Sequence, residues 1–269
     1  MLLKEFDTNK TAVINPRFKR ENYPAFPKIT ISVFSDILFN QVLNLFEHEV
    51  LEITQSCNGI NPIYRIHYKG VDFAFYHSFV GGPMCVANYE EVHAMGSDTL
   101  ILLGNCGVLD KNIQDCGIII PTSALRDEGT SYHYVEASDV IDVNKKYISE
   151  FKEVLNEAGY PYVEGTTWTT DAFYRETIDK VNKRKEMGAI CVDMECASMQ
   201  AMCDFRNTEF FQFFYAGDNL DHSSWEPRSL CANERLDDKV KIVFLAFELA
   251  LKIAENKGIF DKKCIAKTM

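Results

Sequence analysis

At 269 residues, with 46% hydrophobic and 25% charged side chains, the chain has material for one large α/β core and too much apolar character for disorder. A formal net charge of −11 leaves no basic surplus to replace the counterions around phosphates, which works against a DNA or RNA duplex partner. The nine cysteines (57, 85, 106, 116, 191, 196, 203, 231 and 264) are odd in number and form no Cys-x-x-Cys pair, which speaks against a zinc site or disulfide framework and for a reduced, cytoplasmic setting.

The N-terminus has no basic start followed by a long apolar run, and no stretch of ~18 apolar residues occurs, so neither export nor a membrane span is expected. Residues 1–28 read as a polar, proline-bearing lead, and residues 29–269 as one domain. The β-branched run Ile29 to Phe34 predicts a strand, and Asp36 can cap a helix reaching about Leu51. Ile63 to His67 and Val71 to Val80 flank Tyr68-Lys69-Gly70 as a hairpin ending at Gly81-Gly82-Pro83. A helix from Met84 to Met95 and the strand Thr99 to Leu103 follow, and then the apolar run Ile118 to Ile120, broken by Pro121. Helical spacing covers Lys145 to Ala158, and Tyr162 to Trp168 returns to strand character. A helix over Arg175 to Met187 precedes the short strand Ala189 to Val192, which feeds a helix starting near Met194. Phe210 to Tyr215 is a further strand, and a long amphipathic helix spans about Leu236 to Asn256. Strands alternating with helices predict a three-layer α/β/α sandwich around a mixed central sheet, without internal repeats.

Ligands in such sheets gather at the carboxyl ends of strands, and four segments fall there: Gly81-Gly82-Pro83, Gly104-Asn105-Cys106-Gly107, Asp193-Met194-Glu195 and Gly217-Asp218-Asn219. Acids at a helix start ordinarily cap it, and Asp193 is read that way. Glu195 lies among Met194, Cys196 and Ala197. A carboxylate in an apolar stretch must find donors, and the 2′- and 3′-hydroxyls of a ribose would supply them.

The order of these motifs resembles the nucleoside phosphorylase family that holds uridine and hexameric purine nucleoside phosphorylases and the methylthioadenosine/S-adenosylhomocysteine nucleosidases. The resemblance covers roughly residues 29 to 256 and implies that Met194 and Glu195 contact the ribose and that Phe173 stacks on the base. It places Asp218 at the purine-binding aspartate, facing N7 of the base, where an acid assists departure of the leaving group. The similar uridine phosphorylases lack an acid there, so Asp218 tilts the expected substrate towards purines. The resemblance further implies a homo-oligomer, dimer or hexamer, with inorganic phosphate as co-substrate. The chemistry calls for no metal or organic cofactor.

One departure bears on the acceptor. The family supplies arginines for phosphate shortly after the first strand, two residues before the Gly-x-x-Gly turn, and from a neighbouring subunit. This chain has Ser35-Asp36-Ile37-Leu38-Phe39 at the first place and Leu102 at the second, and no arginine near Gly59. Either phosphate is held by backbone N–H groups around Gly82, Gly104 and Asn105 with help from Arg126, Arg65 or Arg175, or water replaces phosphate. Asp36 is a candidate to activate that water, although a helix cap is its simpler role. Arg126 and His133 sit in a polar, aromatic run similar to one in uridine phosphorylases and are further candidates for the site.

Overall fold

The computed structural model describes residues 2–222, 224–230 and 233–259, so Cys231 and Cys264 lie outside the described residues. Strand β1 (Ile29–Val33) is buried at every position, as a β-branched run requires when strands flank it on both sides. Those neighbours are β4 (Val71–His77) and β5 (Thr99–Val108), both parallel to it. Helix α1 (Asp36–Leu45) is capped by Ser35, whose side chain accepts from Leu38 N, so Asp36 is the first helical residue and not the cap. The helix stops before Leu51. His48–Ser56 instead forms β2, an edge strand paired antiparallel with β3 (Gly59–Tyr68). The β3–β4 hairpin turns at Lys69 and Gly70, both with positive φ, as a two-residue turn of the expected kind requires.

Helix α2 (Gly82–Met95) leads to β5, and β6 (Ile118–Asp127) runs straight through Pro121. The proline is tolerated because the pairing of β6 with β8 (Tyr162–Thr170) is irregular between Pro121 and Ser123. A short strand not anticipated from the sequence, β7 (Val140–Asp142), covers the other edge of β6. Helix α3 (Ile148–Ala158) starts three residues late, after Asn144 and Tyr147 have taken left-handed backbone angles. Helix α4 (Ile178–Glu186), β9 (Ala189–Asp193), α5 (Cys196–Arg206), β10 (Glu209–Asn219) and α6 (Leu236–Asn256) complete the order.

The ten strands form one mixed sheet in which β10, β6, β8 and β9 follow one another and both β9 and β10 pair with β5. That half of the sheet curls closed. Helices α1, α3 and α6 pack on one face, around Phe151, Phe211, Phe213 and Phe247. Helices α2 and α5 cover the other through Tyr89, Met95, Met199 and Met202. Each fully buried Phe contributes roughly 1.5–3 kcal/mol relative to exposure. The result is a single α/β/α sandwich. Among the described residues no helix is long and apolar enough to cross a membrane, no cluster of His, Cys, Asp and Glu is arranged to hold a metal ion, and the cysteines are free.

Parallel register places the carboxyl ends of β1, β5 and β10 on one rim. Strand β9 runs the opposite way and meets β5 at Gly107 and Val108, so its carboxyl end enters the same place. The switch from parallel to antiparallel neighbours opens a crevice at the end of β5.

Candidate active site

That crevice is a cleft of about 1100 Å³ whose walls include Asn105, Cys106, Gly107, Met194, Glu195 and Asp218. Asp193 ends β9 and is spent on structure. Its carboxylate accepts from Thr167 and Thr169 hydroxyls at 2.9 Å, from Glu195 N at 2.8 Å and from Cys196 N at 2.6 Å. The start of α5 is thereby tied to β8, and Glu195 is turned towards the cleft. Glu195 is only 6% exposed, and its Oε1 accepts from Gly81 N at 2.6 Å. Burial, then the neighbouring charge of Asp193, push its carboxyl up to about 8, with the Gly81 N–H pulling the other way. With the backbone N–H groups of Gly81 and Met194 as its donors, the carboxyl retains acceptor capacity for hydroxyls in the cleft.

Asp218 lies on the other wall, beside an irregularity in the β10–β5 pairing that falls at Gly217. Burial raises its carboxyl above the usual range, partly offset by Trp225, whose Nε1 donates to Oδ2 at 2.7 Å. Glu176 lines the same cleft, and burial together with Asp218 pushes it up to about 7. Two desolvated acids at one end of a cavity are suited to giving or sharing a proton near neutral pH. Phe173 follows β8 on a loop held by Gly129 N donating to Asp171 Oδ2 at 2.9 Å. Its half-exposed ring leans on Tyr174 with centroids 4.2 Å apart, giving the cleft an aromatic side.

The structure thus brings Phe173, Met194, Glu195, Asp218 and Asn105 together and leaves other sequence candidates outside the cleft lining. Gly82 is packing: a Cβ there would stand 2.5 Å from Ser198 Oγ and 3.2 Å from Thr130 Oγ1. The adjacent Gly81 N–H is already taken by Glu195. Gly104 lies beneath Phe34, and a Cβ on it would meet the ring at 2.8 Å. Arg126, near the end of β6, is buried against the segment that follows, donating to Ser131 Oγ, Glu136 O and Ser138 Oγ and stacking on Tyr132. Arg65 pairs with Glu49 and Asp72 on the β2–β4 face, and Arg175 and His133 do not line the cleft. Asp36 is exposed and bonds Asn40. Sequence reasoning passed over Phe34, Glu176 and Trp225, which all line the cleft. Phe34 directly follows β1, so the strand-end rule would have found it. Glu176 and Trp225 come from loops without periodicity.

Comparison with known proteins identifies the family and the fold. A family model described as the phosphorylase superfamily matches residues 28–245. A uridine phosphorylase of Thermococcus kodakarensis is 34% identical over 114 residues, 41% of this chain and 41% of that protein. A guanosine phosphorylase of Halorubrum lacusprofundi is 26% identical over 142 residues, 52% of this chain and 58% of its own length. The chain therefore spans about half the length of these two curated relatives. The crystal structure of uridine phosphorylase from Vibrio fischeri superposes with a TM-score of 0.71 at 19% identity, covering 90% of this chain and 99% of that one, a likeness of fold. With the family match extending over most of its length, the chain belongs to the phosphorylase superfamily.

Proposed function

We propose that this protein cleaves the N-glycosidic bond of purine nucleosides, transferring the ribosyl group to inorganic phosphate. The observation that carries the proposal is the pair of desolvated acids facing one cleft, Glu195 held by Gly81 and Asp218 beside the aromatic side. Glu195 accepts from the ribose hydroxyls, Met194 packs on the sugar, and Phe173 stacks on the base. As the C1′–N9 bond breaks, its electron pair moves onto the base, and Asp218 delivers a proton to N7. The acceptor then bonds to C1′ of the oxocarbenium-like sugar. Positioning and electrostatics supply the rate, so the reading requires neither metal nor organic cofactor. The relatives' names support phosphorolysis, since they are uridine and guanosine phosphorylases. The purine preference rests on Asp218. A homo-oligomer in a cytoplasmic setting is part of the same proposal.

A second reading, with water as acceptor, is favoured by the Phe34 ring over Gly104. Leu102 and Phe39, at two of the places where the family carries arginines, are buried in the core. The acidic side chains of Asp193, Glu195, Asp218, Glu176 and Asp221 line the cleft with Lys111 as its one lysine and no arginine among the described residues, which leaves few cations to hold a dianion. Base release from inosine, guanosine and uridine, with sugar products resolved, separates the readings. Phosphate-dependent release with ribose 1-phosphate supports transfer. Undiminished release of free ribose without phosphate replaces it with hydrolysis, and no release under either condition rejects both.

A further inference from the structure

Trp225 stands seven residues beyond Asp218 in a loop clamped at both ends. Asn219 and Glu226 exchange backbone hydrogen bonds at 2.8 and 3.2 Å, and Asn219 Nδ2 donates to Glu226 Oε2 at 2.8 Å. Asn219 Oδ1 accepts from Asp221 N at 2.9 Å, and the Asp221 carboxylate is itself held by Lys185 and by Lys111 N. The indole that this loop delivers is 61% exposed, yet its single polar atom is spent on the cleft acid at 2.7 Å. A tryptophan kept at the surface with that one bond is poorly explained as core packing. Among the described residues, Arg228 acts on Asp218 through space and Asp218 in turn raises Glu176; besides its own backbone N–H, the donor to the Asp218 carboxylate is the indole of Trp225.

The two oxygens of Asp218 are therefore unlike. Oδ2 faces an N–H donor and must accept. Oδ1 lies against Gly107, where a Cβ would stand 3.2 Å from it, so the glycine leaves this oxygen its room in the cleft wall.

Resting on the general-acid role given above to Asp218, we propose that Trp225 is the positioning residue of that acid: its N–H occupies Oδ2 and confines the transferable proton to Oδ1. When the C1′–N9 pair collapses onto the base, the Oδ1 proton passes to N7 and Asp218 is left as a carboxylate. The indole bond then becomes charge-assisted and strengthens as the reaction proceeds, which favours the transition state over the ground state. The C1′–N9 electron pair leaves with the base, and an oxygen of the acceptor bonds to C1′.

The test uses the full chain, the variant Trp225→Phe, and two substrates, inosine and 7-methylinosine. The methylated base is already cationic and leaves without protonation. The ring is exposed, so the variant keeps the parent's melting temperature. For inosine kcat falls by about 10- to 100-fold while KM stays within about twofold, and for 7-methylinosine the loss in kcat is at least ~10-fold smaller. An equal loss on both substrates, or no loss on either, overturns the positioning role while leaving the proposed function standing. A parent that cleaves neither substrate overturns the proposed function and this inference with it.

Discussion

Burial of Glu195, reinforced by the charge of Asp193, pushes its carboxyl up to about 8, so at pH 7 the empty cleft holds a largely protonated acid. Ribose hydroxyls donate best to the anion, so nucleoside binding draws the proton off. The sign follows from linkage: affinity rises with pH below about 8, by at most ~10-fold per unit, and levels off above it. Calorimetric titration of inosine in two buffers of different ionisation enthalpy should show proton release at pH 7. A dissociation constant flat from pH 6 to 9 would contradict the ribose role. Asp193, one residue from Met194, takes no part in this exchange, because four donors already occupy its carboxylate.

At the level of elements, the cleft depends on β5, β9 and β10 converging where Gly107 has no side chain. A Cβ at that position would meet Leu220 Cδ1 at 2.5 Å, Val192 Cγ1 at 3.0 Å and Asp218 Oδ1 at 3.2 Å. Leu220 can swing aside, whereas Val192 is held in β9 and Asp218 in β10. Gly107→Ala therefore costs about 1–3 kcal/mol in stability, from overpacking, and lowers kcat on purine nucleosides more than it raises KM. Denaturant melts together with steady-state kinetics check this, and parent-like values in both would refute it. The strands around this point were legible because β-branched, doubly buried runs such as Ile29–Val33 leave little choice. The amphipathic spacing of α6 marked its ends at Leu236 and Asn256. The start of β2, His48 to Leu51, carries helical spacing because Ile37, Leu38, Val42, Phe46 and Val50 fit a helical period. Pairing with β3, a contact decided elsewhere in the chain, settles it. The site divides the same way. Glu195 just beyond β9 and Asp218 near the end of β10 could be read from strand ends, and Phe173 from the family resemblance. Trp225 depends on the Asn219–Glu226 clamp, and Glu176 on the loop after β8, neither of which has a local signature.

Across the whole molecule, Glu209 joins parts that the sheet alone does not hold. Its carboxylate accepts from Thr99 Oγ1 on β5, from Lys146 and Tyr147 before α3, and from Lys257 after α6. Burial alone would raise this carboxyl, but the Lys146, Lys257, Tyr147 and Thr99 donors outweigh it and bring it down to about 2. A lowered folded value means stability that is present above about 4.5 and lost as pH falls through about 2. Glu209→Gln is expected to cost on the order of 1–3 kcal/mol at pH 7 and less at pH 3. Urea unfolding at both pH values tests this, and a penalty as large at pH 3 as at pH 7 would refute it. The most direct test is base release from inosine by the parent and by Asp218→Asn, followed with and without phosphate. The parent is expected to release hypoxanthine, with ~100-fold or greater loss of kcat in the variant. No release by the parent under either condition, or equal rates for the two proteins, would contradict it.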